Sequence, residues 1–327
     1  MKRGLVLGKF MPLHNGHIAL VDFALEHCDE LVVLVSASDD EPIPGAQRLE
    51  WVTETYKNNN KVKPWLLNYD EAVLPNTSAS SEGVSRLWAD YLKAQLPAID
   101  VIFASEAYGA YMGRFLNCEH IIFDEPRKIV PVSATQIRND PFTFWNFLPD
   151  VVKPYFIKKI CLYGTESTGK TTLAKRLAIH FNTVDVPEMA REILEHTHEC
   201  TEEHLIRIAE LHAKTINEQI KRANKLLFVD TGLNTTRSYS RFLFDKDLEV
   251  PEWVAAANQF DLYLYLDADA PYMQDGTRLN EADRNRLNES HRQELINRGI
   301  SYVLIQGNDW EERFKNAVIA VNKFISI

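Results

Sequence analysis

The sequence predicts two α/β domains in tandem, each built on a parallel sheet with helices packed on it. Three observations carry this. The chain has 327 residues, more than one ordinary core holds and suited to two domains of about 150 residues each. Short apolar runs alternate with stretches of helical spacing along the whole length. Two glycine-bearing loops, at 8–17 and 164–171, each follow an apolar run and lead into an amphipathic stretch, one loop in each half. The domains are expected at 1–152 and 153–327.

In order along the chain, residues 5–7 form a short apolar run ended by Gly8 and a Pro/His/Asn/Gly loop. Ile18, Val21, Ala24, Leu25 and Cys28 then recur at helical spacing. Residues 31–35 are unbroken apolar, as expected of a strand buried on both faces of a parallel sheet. Further strands are expected at 101–104, 120–123 and 129–132. A second cycle starts with a strand at 160–163 and a helix whose inner face carries Leu173, Ala174, Leu177, Ala178 and Phe181. Strands at 226–229, 262–266 and 302–305 complete that sheet. The last helix presents Trp310, Phe314, Ala317, Val318, Val321 and Ile325 as a core-facing stripe. Pro149 and Pro154 flank the join without a Gly/Ser-rich linker, which predicts closely packed domains.

Composition narrows the function classes. The chain is 45% hydrophobic and 25% charged, with 36 Lys and Arg against 46 Asp and Glu, a net charge of −10. A general nucleic-acid coat needs a basic footprint, so no nucleic-acid partner is expected. The apolar runs fall far short of the roughly 20 residues of a membrane span. A cleaved signal peptide would remove the first loop, so a cytoplasmic location is expected. Cys28, Cys118, Cys161 and Cys200 are scattered without metal-type spacing and read as small hydrophobes in a reducing compartment. The composition leaves room for a homo-oligomer.

The first loop contains Gly8, Lys9 and Phe10, then His14-Asn15-Gly16-His17, between a buried strand and a helix start. In open α/β sheets ligands bind outside the carboxyl ends of the strands. Gly8 allows close backbone approach and Gly16 opens the helix. His14 and His17, three apart around one turn, can offer ring nitrogens to phosphate oxygens while the helix N-terminus adds its positive end. Later, Ser133-Ala134-Thr135-Gln136-Ile137-Arg138 reads as a Ser-x-x-Gln capping box, a second phosphate cradle with Arg138 on its first turns.

The second loop, Gly164-Thr165-Glu166-Ser167-Thr168-Gly169-Lys170-Thr171 followed by Thr172, fits the phosphate-loop pattern with a strand before and a helix after. Its amides would wrap phosphates, Lys170 would bridge their outer oxygens, and the Thr171 hydroxyl would ligate Mg²⁺. Asp230, at the end of the run 226–229, is a candidate for Mg²⁺ contact or substrate orientation. Glu188, beyond another short strand and followed by Arg191, is a candidate for the acceptor hydroxyl. Asp275-Gly276-Thr277-Arg278 opens an Arg-rich stretch through Arg284 and Arg286, read as a lid whose arginines close over the transferring phosphate.

These residues resemble two known groups joined in one chain. The first half resembles the nucleotidyltransferase superfamily, which carries His-x-Gly-His early and Ser/Thr-x-x-x-Ile-Arg late. The order of motifs resembles the NadR-type bifunctional enzymes, nicotinamide mononucleotide adenylyltransferase fused to ribosylnicotinamide kinase. The likeness runs over nearly the whole chain, including 104–109, 133–141, 155–172, 187–191, Asp230-Thr231 and 275–278. It implies a Rossmann-like nucleotidyltransferase domain followed by a P-loop kinase domain. It also implies ATP as co-substrate with Mg²⁺, and ribosylnicotinamide, nicotinamide mononucleotide and NAD as partners. It places His14 and His17 on the ATP phosphates with Lys9, Ser133, Thr135 and Arg138 nearby. On the kinase side it favours Asp230 for the hydroxyl or the Mg²⁺ shell, leaving Glu188 to the ribose or to Arg191.

Two features depart from that family. Where relatives have Pro-Asn-Gly-Trp near the nicotinamide pocket, this chain reads Pro75-Asn76-Thr77-Ser78, so Asn76 and the nearest tryptophan, Trp88, become the candidates there. The chain also starts at the first transferase strand, so the helix-turn-helix repressor domain of some relatives is expected to be absent. Two other readings stand beside this one: a transferase–kinase for another cofactor such as flavin, and a nucleotide-sensing regulator with one inactive half.

Overall fold

The computed structural model describes residues 1–76, 81–193, 200–266, 281–307 and 309–326. They form two compact units, Met1–Tyr155 and Phe156–Ile327.

The first unit is a five-stranded parallel sheet of β1 (Arg3–Gly8), β2 (Glu30–Ala37), β3 (Val62–Asn68), β4 (Val101–Ala104) and β5 (Glu119–Ile122), in the order β3-β2-β1-β4-β5. The central strands are the most apolar: Leu31, Val33, Leu34 and Val35 are fully buried, as are all four residues of β4. Burying each of these side chains other than that of Ala104 contributes about 1.5–3 kcal/mol. Helices α1 (Asn15–Leu25), α2 (Gly45–Tyr56), α3 (Glu82–Gln95) and α4 (Tyr108–Leu116) connect the strands. Helix α3 lays Trp88, Ala89 and Leu92 on the face carrying Leu5, Val32, Leu34 and Ile102. On α1, Phe23 meets Phe103 edge-on at 6.2 Å. The chain reverses direction across the sheet at β1 and β4, and this switch point places the loop after β1 over an open crevice.

One strand expectation changes here, and one strand was not anticipated. Residues 129–132 are not a strand. The carboxylate of Asp124 accepts the amides of Lys128 and Ile129 at 2.8 Å each, turning the chain into a loop, and Pro131 has no N–H for a ladder. Conversely, β3 is a strand despite Pro64, because it lies at the sheet edge, where a missing donor leaves no ladder bond unmade.

The second unit is also a five-stranded parallel sheet: β6 (Lys158–Tyr163), β7 (Val184–Val186), β8 (Leu226–Asp230), β9 (Leu262–Leu266) and β10 (Val303–Ile305), in the order β10-β9-β6-β8-β7. Helix α7 (Lys170–His180) buries Leu173, Ala174, Leu177 and Ala178, as its spacing predicts. Two short elements, α5 (Ala134–Asn139) and α6 (Lys153–Phe156), precede this sheet, and α8 (Ala190–Ile193) follows β7. Helices α9 (Glu202–Gln219), α10 (Leu233–Phe244) and α11 (Glu252–Ala257) share a core of Leu205, Ile208, Leu233, Leu248 and Val254. Helices α12 (Glu281–Asn297) and α13 (Trp310–Ile325) close the unit. On α13 the stripe holds for Ala317 and Val321, but Trp310 is 51% exposed.

Cys28 and Cys161 are buried, Cys118 and Cys200 half-buried, and all four are free thiols. Among the described residues no helix is long and apolar enough to cross a membrane.

Candidate active sites

At the switch point of the first sheet lies a cavity of about 660 Å³. It is lined by Gly8, Lys9, Phe10, His14, Gly16, His17, Asn76, Trp88, Ser133, Thr135 and Arg138, so two segments more than 100 residues apart in sequence meet there. The helix starts account for much of the geometry. His14 is the N-cap of α1: its Nδ1 accepts the Gly16 amide at 3.1 Å, and the Nδ1 of His17 accepts the His14 amide at 3.3 Å. This is a capping box made of two imidazoles. With both Nδ1 atoms accepting, the ring proton of each neutral histidine resides on Nε2, the nitrogen not used by the cap. A side chain at position 16 would meet the His14 ring at 2.9 Å, which explains Gly16.

The two rings stack at 3.8 Å, and Phe10 packs against His17 at 4.9 Å. Burial, then the charge of Arg127, lowers His14 from 6.5 to about 4. Burial, His14 and Arg127 together hold His17 well below the ordinary range. Both are therefore neutral Nε2–H donors rather than imidazolium ions at neutral pH.

The capping box at α5 is present: Ser133 Oγ accepts the Gln136 amide at 3.2 Å, and Gln136 Oε1 accepts the Ser133 amide at 2.8 Å. Arg138 reaches back across the crevice, donating to the Met11 carbonyl and, at 3.1 Å, to Thr135 Oγ1. Lys9 pairs with Glu41 at 2.6 Å, and Glu41 also takes Arg48 at 2.5 Å. Fully buried Arg48 in turn donates to the carbonyls of Lys9 and Ser36, fixing the loop after β1. Burial opposes the charge on Glu41, but hydrogen bonds and charge from Lys9 and Arg48 prevail and lower its pKa.

Trp88 lines the cavity but is largely core. Its Nε1 donates to the Pro75 carbonyl at 3.1 Å and its ring meets Tyr69 edge-on at 4.8 Å. Asn76 lines the same cavity and is exposed. Sequence reasoning missed Arg127, Glu41 and Arg48. Arg127 stands in the loop between the strands expected at 120–123 and 129–132, and nothing local marks Glu41 or Arg48 as partners of Lys9.

In the second unit the glycine loop wraps the carboxyl end of β6. Gly164 has φ 135° and a Cβ there would lie 2.5 Å from the Leu266 carbonyl; Gly169 has φ 84° and its Cβ would meet Trp310 at 2.3 Å. Only glycine fits either place. Ser167 also has positive φ, 60°. Thr165 and Thr168 are fully buried, and the Thr165 carbonyl accepts both Lys170 Nζ at 2.7 Å and Thr168 Oγ1 at 2.8 Å. Thr171 Oγ1 donates to Asp230 Oδ2 at 2.5 Å, and Asp230 is fully buried. Thr172 is exposed on α7.

Glu166 differs from its loop neighbours: its carboxylate accepts the Tyr239 hydroxyl at 2.8 Å and its carbonyl accepts Arg284 Nε at 3.1 Å. Glu188, half-buried two residues past β7, acts electrostatically on Tyr239. Arg191 lies in α8. Of the expected lid arginines, Arg284 is buried against the loop, whereas Arg286 turns outward to Asp283 at 3.0 Å. Arg278, with 275–277, lies outside the described residues. Trp310, Arg313 and Tyr239 were not anticipated at this site. Arg313 donates to the Thr168 carbonyl at 3.4 Å, which the apolar stripe around it concealed.

Both halves match known families where the geometry places the loops. Residues 5–140 match the cytidylyltransferase-like family and residues 159–313 match an AAA domain. Fold and sites together define the class, a nucleotidyltransferase domain fused to a P-loop kinase domain. The chain is 30% identical over 349 aligned positions to the trifunctional NAD biosynthesis/regulator protein NadR of Escherichia coli (strain K12), covering 98% of this chain and 83% of that protein. It belongs to the NadR family. The nicotinamide-nucleotide adenylyltransferase of Thermococcus onnurineus (strain NA1) is 28% identical over 142 residues, covering 42% of this chain and 71% of that protein. In fold, the chain is similar to a solved NadR protein in complex with NR, with a TM-score of 0.79 at 23% identity, covering all of this chain and 96% of the other.

Proposed function

We propose that the chain makes NAD in two ATP-dependent steps, phosphorylating the 5′-hydroxyl of ribosylnicotinamide and then transferring AMP from ATP to the resulting mononucleotide with release of pyrophosphate. The observation that carries the transferase half is the histidine capping box, which leaves two neutral Nε2–H groups beside Arg138 and the Ser133 helix start in one cavity. Transfer of an adenylyl group needs no covalent intermediate. The mononucleotide phosphate attacks the α-phosphorus in line, the bond to pyrophosphate breaks, and the protein supplies position and charge stabilisation. His14 and His17 donate to the triphosphate oxygens. Ser133, Thr135 and the α5 amides hold phosphate at the far wall, and Arg138 carries the positive charge there. Lys9 and Phe10 shape the near wall. Asn76 and the edge of Trp88 stand at the nicotinamide end.

In the kinase half, the amides of the glycine loop and Lys170 bind the ATP phosphates. The Thr171 hydroxyl and the Asp230 carboxylate, hard oxygen donors 2.5 Å apart, are the residues that would hold a Mg²⁺ ion. When bound, that ion neutralises charge on the transferring phosphate. This geometry shifts the weighting between the two acids. Asp230 is fully buried and engaged with Thr171, which suits the metal shell, whereas half-buried Glu188 on the same sheet edge suits the 5′-hydroxyl. Arg191 and Arg278 are assigned to the acceptor and the transferring phosphate. Separate assays test the two halves: mononucleotide with ATP should give NAD and pyrophosphate in equal amounts, and ribosylnicotinamide with ATP should give mononucleotide and ADP. Failure of either removes that half of the proposal.

A further inference from the structure

One acidic side chain of the phosphate loop, that of Glu166, has no role in the reaction so far described. Glu166 is gripped at two points, its carbonyl by Arg284 on α12 and its Oε1 by the Tyr239 hydroxyl on α10. Its second carboxylate oxygen, Oε2, is buried and has no hydrogen-bond partner among the described residues. On the other side of Tyr239, His291 is 1% exposed, and neither ring nitrogen has a hydrogen-bond partner among the described residues. The His291 ring lies 5.6 Å from that of Tyr239 and feels the charge of Lys170, so both groups belong to the surroundings of the loop. A buried polar atom left without a partner is destabilising, and folds keep such atoms where something else supplies the bond.

The chemistry of the missing partner is restricted. A phosphate oxygen offers no proton, and its negative charge is repelled by the carboxylate at hydrogen-bonding range. A cation has little reason to add itself where Lys170 and Arg284 already stand. What remains is a neutral donor, and the kinase acceptor brings hydroxyls. Resting on the kinase reading above, we infer that Glu166 Oε2, steadied by Tyr239, accepts a hydrogen bond from the vicinal 2′,3′-hydroxyls of the acceptor ribose. The Glu166 carboxylate is thus a specificity determinant for the sugar, while the backbone of the same residue stays with the nucleotide cradle. Tyr239 makes the arrangement directional: by donating to Oε1 it leaves Oε2 as the acceptor for the ligand.

The test compares ribosylnicotinamide with its 2′-deoxy and 3′-deoxy forms in the full chain, in the wild type and in Glu166→Gln and Tyr239→Phe. A hydrogen bond to a charged group is worth about 10- to 150-fold in discrimination against a substrate lacking the hydroxyl. The wild type should prefer the ribo form over at least one deoxy form by a factor in that range. Glu166→Gln should bring the two near parity, chiefly by raising the nucleoside KM at an unchanged KM for ATP, and Tyr239→Phe should do so in part. Wild-type protein indifferent to the deoxy forms overturns the inference, as does discrimination that survives both substitutions. A fall in kcat with unchanged nucleoside KM would put Glu166 on the reacting hydroxyl, and a raised KM for ATP would put it on the nucleotide; either result overturns it. Wild-type protein that phosphorylates none of the three substrates would instead refute the kinase reading itself.

Discussion

The charge state of His14 follows from its place in the capping box and can be measured without turnover. Its pKa falls from 6.5 to about 4, with burial the larger cause and Arg127 the second. The difference of 2.5 units corresponds to about 3 kcal/mol against protonation in the folded state. At pH 5.5 an ordinary histidine is only about one-tenth neutral, whereas His14 would be roughly 97% neutral. Histidine titration followed by NMR in labelled, ligand-free protein reads this directly. The expected result is a His14 resonance that stays flat from pH 8 to about 5 and carries its proton on Nε2. Arg127→Ala should raise the pKa but leave it below 6.5, because burial is the larger cause. A midpoint near 6.5, or a proton on Nδ1, would refute the capping geometry and the donor role derived from it.

Other outcomes follow from the same structure. His17→Ala should lower adenylyl transfer by about 10²–10³ while kinase turnover stays near normal, since each half has its own phosphate loop; equal loss in both assays would show the sites to be coupled. Lys170→Ala should lower ribosylnicotinamide phosphorylation by orders of magnitude in kcat with less change in nucleoside KM, and near-normal turnover would remove the loop assignment. Asp230→Asn should weaken the dependence of turnover on Mg²⁺, whereas Glu188→Gln should lower kcat at saturating Mg²⁺; the reverse pattern would exchange their roles. Acid should destabilise the second unit through buried His212 and His291, lowered to about 4 and about 3, mainly by burial. The unfolded chain takes up protons below pH 6.5 while the folded chain does not, so stability is full above 6.5 and falls as pH drops toward 4. At pH 5 the loss is about 2 kcal/mol per histidine, visible as a lower urea midpoint than at pH 7. No shift in that midpoint would mean that these rings are accessible to protons.

The glycine loops and their flanks were legible because local rules fix them. A strand that must be apolar, a turn that admits only glycine and a helix start that must be capped all leave marks within ten residues. The transferase cavity needed only one long-range step, and Ser133 and Arg138 meet His14 because both loops leave the same end of one sheet. What escaped was chemistry made by packing. Arg48 lies on a helix with nothing local to mark it, yet it ties Glu41 to the carbonyls of Lys9 and Ser36. Residues 129–132 look like a strand until Asp124 takes their neighbours' amides. Trp310 fits a core stripe by spacing but is half-exposed against Gly169. The histidines were expected as phosphate donors, but their neutrality depends on burial and on Arg127, neither of which is readable from His-Asn-Gly-His alone.

The proposed division of labour puts two independent ATP-dependent sites on one chain, acting in sequence on the same nicotinamide riboside. It is tested most directly by a time course with ribosylnicotinamide, ATP and Mg²⁺ in which mononucleotide and NAD are quantified separately for wild type, His17→Ala and Lys170→Ala. Mononucleotide and then NAD should form in the wild type, mononucleotide alone in His17→Ala, and neither in Lys170→Ala, which should still make NAD when given the mononucleotide. Failure of the wild type to form either product, or of Lys170→Ala to make NAD from the mononucleotide, would contradict it.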